Sequence, residues 1–279
     1  MKLDMGKAWS DTIDMVMNNL GLLATILGLF YFLPTFAFAI LFPEIANAEP
    51  PQPPPGADPE VVMENMREFF VNMYAQSWPF LLASTLLQYV GAIAVLALLR
   101  PEGNPTVGEA LKIGFLGAPT YLATGILTGI AAALVIGIPL GLGFAISPIL
   151  GVLLIIPAIV AIVYISIKLV LVPAVIGMEG KLNPIDVIKE SWKATKGNSL
   201  RIFAFLIVLA IVAGLILVIV TTVLTTIFVL MGDTMALIGG GFVSSLTTAI
   251  FGGLFLVVIG AIYRQLTSDV VAEQAETFE

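Results

Sequence analysis

Histidine and cysteine are both absent from the 279 residues. Without histidine there is no imidazole to act as general base, metal ligand or axial haem ligand. Without cysteine there is no disulfide and no thiol nucleophile, and the redox compartment is left open. Charge is also scarce: 11% of residues are Asp, Glu, Lys or Arg, where a soluble domain carries about 25%. No glycine-rich phosphate loop, carboxylate pair or catalytic triad stands at a usable spacing. These absences lead us to expect no enzyme, no metal, no cofactor and no nucleic-acid partner.

What is present is apolar. Hydrophobic residues make up 59% of the chain, which predicts an all-α, polytopic membrane protein forming a single membrane domain over 1–279. Six runs exceed the roughly 20 apolar residues needed to cross a bilayer. They lie at about 20–42, 78–99, 113–140, 148–172, 200–229 and 237–263. Pro34 predicts a kink in the first. That first run is too long for a typical signal peptide, so we read it as a retained span despite Ala46, Asn47 and Ala48, which resemble a cleavage site.

The basic residues are sorted. Lys2, Lys7, Arg100, Lys112, Lys181, Lys189, Lys193, Lys196, Arg201 and Arg264 flank one set of span ends, and Arg67 alone lies at the other. The positive-inside rule then places both termini in the cytoplasm, with 265–279 an acidic cytoplasmic tail. The net charge of -7 says little about partners, because the charges divide by membrane side.

On the opposite side, 43–77 forms a long loop. "EPPQPPPG" (49–56) predicts a stiff polyproline spacer. Asp58 and Pro59 then start an amphipathic helix. Met66, Phe69, Phe70 and Met73 share its apolar face with Val62, and would rest on the outer leaflet, on neighbouring spans or on a docking partner.

A second group of surface helices is expected on the basic side. Residues 2–19 place Trp9, Ile13, Val16 and Leu20 on one stripe, opposite Lys7, Asp11 and Asp14. "NPTVGEALK" (104–112) starts with Asn-Pro. So does the helix after Asn183, where Asn183 is an N-cap, Pro184 the first helical position, and Ile185, Ile188 and Trp192 the apolar stripe. Each helix precedes a span, which suggests three units of one surface helix plus two spans. Trp9 and Trp192 are the expected interfacial anchors.

Within the spans, Lys168 is the ionisable residue that stands out. It is close enough to a span end to snorkel, or it could join Glu179, Glu190 and Arg201 in a charge cluster. Small residues recur at Gly125/Gly129, Gly137/Gly141, Ala210/Gly214 and Ser245/Ala249/Gly253, spacings that suit close helix packing inside the bundle or association with another chain. At midplane the second span offers only Gln88.

The segment "KLVLVPAVIGMEGKLNPIDVIKESWKATKGNSLRIF" (168–203) resembles the bacterial glycerophosphoryl diester phosphodiesterase membrane-domain family and related polytopic inner-membrane proteins. The likeness is carried by Lys168, Pro173, Glu179-Gly180, Ser191-Trp192 and Lys196-Gly197-Asn198. It implies a six-span protein of the bacterial inner membrane. The phosphodiesterase barrel fused to some relatives is not expected here, since its chemistry needs histidine. The sequence therefore points to a non-catalytic integral membrane protein, an accessory or structural subunit of a larger complex or a lipid-associated envelope component. Its partners would be membrane lipid and other membrane-protein subunits. The alternative is a passive transporter or channel for lipid or a small molecule.

Overall fold

The computed structural model describes residues 2–46, 48, 50–54, 56–101 and 105–276. Among these residues there is helix and no strand. Six helices are long and apolar enough to cross a membrane, the architecture of a multi-pass membrane protein. They are α1 (Met5–Leu41), α2 (Pro59–Leu98), α3 (Val107–Ile146), α4 (Pro148–Leu169), α6 (Ser199–Leu230) and α7 (Asp233–Glu276), with the shorter α5 (Pro184–Ala194) between α4 and α6. In hydrocarbon every backbone polar group must be satisfied within the chain, which helices achieve internally.

The helix starts follow side-chain chemistry. Asp58 accepts from the Glu60 N–H at 3.1 Å and Asn183 from the Ile185 N–H at 3.0 Å, each with proline at the first helical position. α3 begins on Thr106, whose hydroxyl and the Glu109 carboxylate cap each other's backbone N–H groups. Asn104, the first residue of the expected Asn-Pro start, lies outside the described residues.

The surface-helix unit is separate only once. Residues 2–19 run into the first span as one helix, with a single non-helical residue at Asn19 (φ -125°, ψ 16°). The stretch before the third span is likewise the first turns of α3. Only α5 is set off, by a turn in which Gly197 takes φ +80°. The outer amphipathic stretch is not a separate helix either. It continues into the second span through Pro79, making α2 a helix of 40 residues. At 1.5 Å per residue that is about 60 Å, against about 30 Å of hydrocarbon. From Glu60 to Gln76 it is exposed except for a half-buried stripe of Val62, Met66, Phe69 and Met73. α7 similarly continues beyond 265, so the expected tail is helical up to Glu276.

Proline shapes the spans in two ways. A π-helical turn covers Gly28–Phe32 and another covers Ala133–Gly137, each ending two residues before a proline, Pro34 and Pro139. The wider turn makes room for a ring that would otherwise strike the carbonyl four residues back. In the fourth span the outcome differs: α4 stops at Leu169, and after a two-residue turn Pro173 opens a short helical segment over 172–179.

That segment is the centre of the fold. Leu171 to Gly177 are buried, as is every residue from Val90 to Leu99 in α2 and from Leu256 to Tyr263 in α7. Gly177 explains how the backbones meet: a Cβ there would lie 2.8 Å from the Leu96 Cβ and 2.9 Å from the Ile93 carbonyl oxygen. The core thus sits at the basic end of the bundle. Half of the apolar window of α2 and 44% of that of α7 is buried, against 6% in α3, 6% in the fourth span and 17% in α6.

Candidate functional site at the basic end

Hydrogen bonds across long sequence separations converge where the basic residues lie. Arg100 Nε donates to the Gly177 carbonyl at 2.8 Å, fixing the end of α2 to the central segment. Burial lowers the Arg100 pKa from its ordinary value, although a guanidinium stays charged. The Thr120 hydroxyl of α3 donates to the Leu182 carbonyl at 2.8 Å. The Leu3 N–H donates to Asn198 Oδ1 at 2.8 Å, and Arg201 Nη1 donates back to the Leu3 carbonyl at 3.0 Å, clipping the N-terminal segment to the start of α6. The Ser191 hydroxyl donates to the Lys168 carbonyl at 2.7 Å and ties α5 to the end of α4.

The four residues read as one charge cluster separate into three settings. Glu179 and Glu190 do come together, but through Lys181. Its Nζ is 2.7 Å from Glu179 Oε2 and 3.3 Å from Glu190 Oε2. Tyr263 of α7 donates its hydroxyl to Glu179, and Lys193 lies 4.0 Å from the other Glu190 oxygen. Burial works against the Lys181 charge, but the hydrogen bonds and charges of the two carboxylates outweigh it and hold its pKa above the usual lysine value. Arg201 is engaged with Leu3 instead. Lys168 is buried, its Nζ 5.5 Å from the Tyr164 ring centroid and 5.6 Å from that of Trp192. Sequence spacing could not assign Lys181, because the reversal that brings it back to Glu179 needs Gly180 at φ +72°, the left-handed region.

Trp9 and Trp192 are both exposed. The edge of α5 turned into the protein is Val187 and Ser191; of the expected stripe, Ile185 points away from it, Ile188 is half-buried, and Trp192, though exposed, meets the Tyr164 ring of α4. On the outer half of α2, Met66, Phe69 and Met73 are half-buried and Phe70 is exposed, with the Phe69 and Phe70 rings edge to face at 5.4 Å. The small-residue spacings divide. Gly253 packs on Leu27, whereas a Cβ at Gly125, Gly129, Gly137, Gly141 or Gly214 would meet nothing within 4 Å. Those glycines are not packed inside the bundle, which corrects the intramolecular expectation for them.

Two cavities face the apolar zone. One of about 490 Å³ lies between α1 and α7 and is apolar, with Leu23, Leu27, Phe32, Phe242 and Leu246 among its walls. The other, about 560 Å³, lies between α6 and α7 and carries Tyr31, Thr221, Thr222, Thr247 and Thr248. The Thr221 and Thr247 hydroxyls are hydrogen-bonded at 3.0 Å. Gln88 is half-buried and lines neither. Among the described residues no group of three or more acidic side chains is placed to hold a metal ion.

No curated protein and no solved structure matches the chain. One family does match. Its range opens near the start of the buried half of α2, takes in Lys168, the central segment, the Lys181 pairs and α5, and closes on α7 just past Tyr263. By that match over residues 80–266, more than half of its length, the chain belongs to the family described as Domain of unknown function (DUF7847).

Proposed function

We propose that this chain is a non-catalytic integral membrane protein that works in contact with another membrane component, either lipid or a further subunit. One observation carries the reading. The packed core is concentrated toward the basic end, while α3, the fourth span and α6 keep most of their apolar stretches outside the protein interior. Along α3, Gly125, Gly129, Gly137 and Gly141 add backbone open to close approach. Apolar association in lipid rests on packing, so faces of this kind are where another helix or ordered lipid gains contact.

The sorting of lysine and arginine supports an orientation with the basic end and both termini in the cytoplasm, in a bacterial inner membrane. α5 then lies along the cytoplasmic interface, with Ile185 and Trp192 toward the bilayer. The likeness of 168–203 to the glycerophosphoryl diester phosphodiesterase membrane domain supports a membrane role independent of hydrolysis.

The test is extraction in the mildest detergent, with identification of co-purifying protein and lipid, for wild type and for Gly129→Leu with Gly137→Leu. The reading expects a wild-type complex with protein or retained lipid, weakened by the substitutions. A lipid-free wild-type monomer refutes it. The threonine-lined cavity between α6 and α7 favours a second reading, a passive path for a small polar or amphipathic molecule. Solute flux in proteoliposomes that falls on Thr221→Val and Thr247→Val would select it.

A further inference from the structure

Lys168 sits at an unusual place for a lysine. It is 4% exposed, in the last turn of α4. Among the described residues, the ion pairs on this end join Lys181 and Lys193 to Glu179 and Glu190, and none includes Lys168. Its ammonium faces two rings, Tyr164 and Trp192, which meet edge to face at 5.8 Å. Ring faces attract a cation, but they return only part of the cost of taking an ammonium out of water. The carbonyl end of α4 favours one positive charge here. It does not account for a second, yet Lys196 stands in the turn directly after α5, four residues past Trp192, whose ring lies over the Lys168 ammonium, and five past Ser191, which bonds the Lys168 carbonyl. Two cations where α4 meets α5, neither in an ion pair among the described residues, describe a site for an anion.

The helix below shows which anion. Ile156, Val160, Tyr164 and Lys168 follow one another at four-residue intervals and share a face of α4. Exposure along it runs 70%, 63%, 49% and 4%. The face therefore grades from bare aliphatic surface, through an amphipathic ring, to a sheltered cation. Trp192 is exposed beside it, and Trp and Tyr favour headgroup depth. That order matches acyl chain, glycerol and phosphate.

We propose that Lys168, Lys196 and Trp192 form a binding site for the phosphate of an anionic glycerophospholipid, whose acyl chain lies along Ile156, Val160 and Tyr164. The Lys168 and Lys196 ammonium groups donate to the phosphate oxygens, and the Tyr164 and Trp192 rings cover the headgroup side. This rests on the lipid-contact reading above and names the site and lipid class for it.

The test is native mass spectrometry of the delipidated full chain titrated with phosphatidylglycerol, with phosphatidylcholine and with inorganic phosphate. Wild type should bind phosphatidylglycerol at least tenfold more tightly than phosphatidylcholine. Lys168→Gln should lose about that tenfold preference, the standard equivalent of 1.4 kcal/mol. Lys196→Gln, on an exposed residue, should lose several-fold, while Lys168→Arg retains the preference. If Lys168→Gln fails to fold, Lys196→Gln decides. Equal binding of the two lipids by wild type, or an unchanged preference in Lys196→Gln, overturns the site. Competition by inorganic phosphate at equal concentration overturns the lipid assignment. A wild type that co-purifies with another subunit but does not distinguish the lipids sinks this site alone; one that retains neither lipid nor subunit sinks the functional reading itself.

Discussion

Replacing Gly177 by alanine should destabilise the protein, and the structure fixes both sign and size. The new Cβ would lie 2.8 Å from the Leu96 Cβ, 2.9 Å from the Ile93 oxygen and 3.3 Å from the Ala97 nitrogen. Carbon atoms rest at about 3.5–4.0 Å, so the central segment and α2 must part by something near 1 Å. Both are buried, and backbone atoms cannot step aside as a side-chain tip would. The Arg100 bond to the Gly177 carbonyl crosses the same contact and would stretch with it. Overpacking of this kind costs about 1–3 kcal/mol. The matched control is Gly125→Ala, where the Cβ meets nothing within 4 Å and alanine should stabilise the helix by about 0.5–1 kcal/mol. Thermal unfolding of the purified chain in detergent, followed by circular dichroism, should move the two variants in opposite directions. A Gly177→Ala protein that melts with or above Gly125→Ala would refute the close approach.

Ser191→Ala removes the buried donor to the Lys168 carbonyl; we expect a loss of about 1–3 kcal/mol, read in the same melt, and an unchanged melting temperature would dissolve the tie between α4 and α5. Lys181 has a folded-state pKa above its unfolded one, so its pairs stabilise the fold below about pH 10.4 and lose that contribution as pH rises through the higher folded value. The gap in melting temperature between wild type and Lys181→Met should therefore be steady at neutral pH and close above pH 10, and a gap that widens there contradicts the pairing. For orientation, cysteines placed at Met63 and Lys189, both exposed, should react with an impermeant thiol reagent on intact cells at 63 only. Labelling at 189 and not at 63 would reverse the topology.

The sequence made the spans readable because twenty apolar residues admit few other fates. It also made the helix starts at Asp58 and Asn183 readable, because capping is local chemistry. It misleads where a change of polarity resembles a break in the backbone. The polar-to-apolar change near 77 alters what surrounds α2 but not its hydrogen bonds, so one helix runs through it. The converse holds at 170–173, where the side chains are apolar and Pro173 still interrupts the fourth span. Charge partners were hardest to read. Lys181 reaches Glu179 and Glu190 only because Gly180 turns the chain back, and Lys168 is sheltered only once α5 folds Trp192 onto α4. Open space along Gly125 to Gly141 is likewise a property of the assembled bundle, since the same spacing serves packing within a chain or between chains.

The most direct measurement of the account is the mass of the particle released from its own membrane in lipid nanodiscs and analysed by native mass spectrometry. The chain alone is 29.6 kDa. Contact with another membrane component predicts a species heavier than this by discrete masses, either phospholipid or a polypeptide, that survive activation sufficient to strip bulk lipid. A bare 29.6 kDa species at the lowest activation that frees the protein would contradict it.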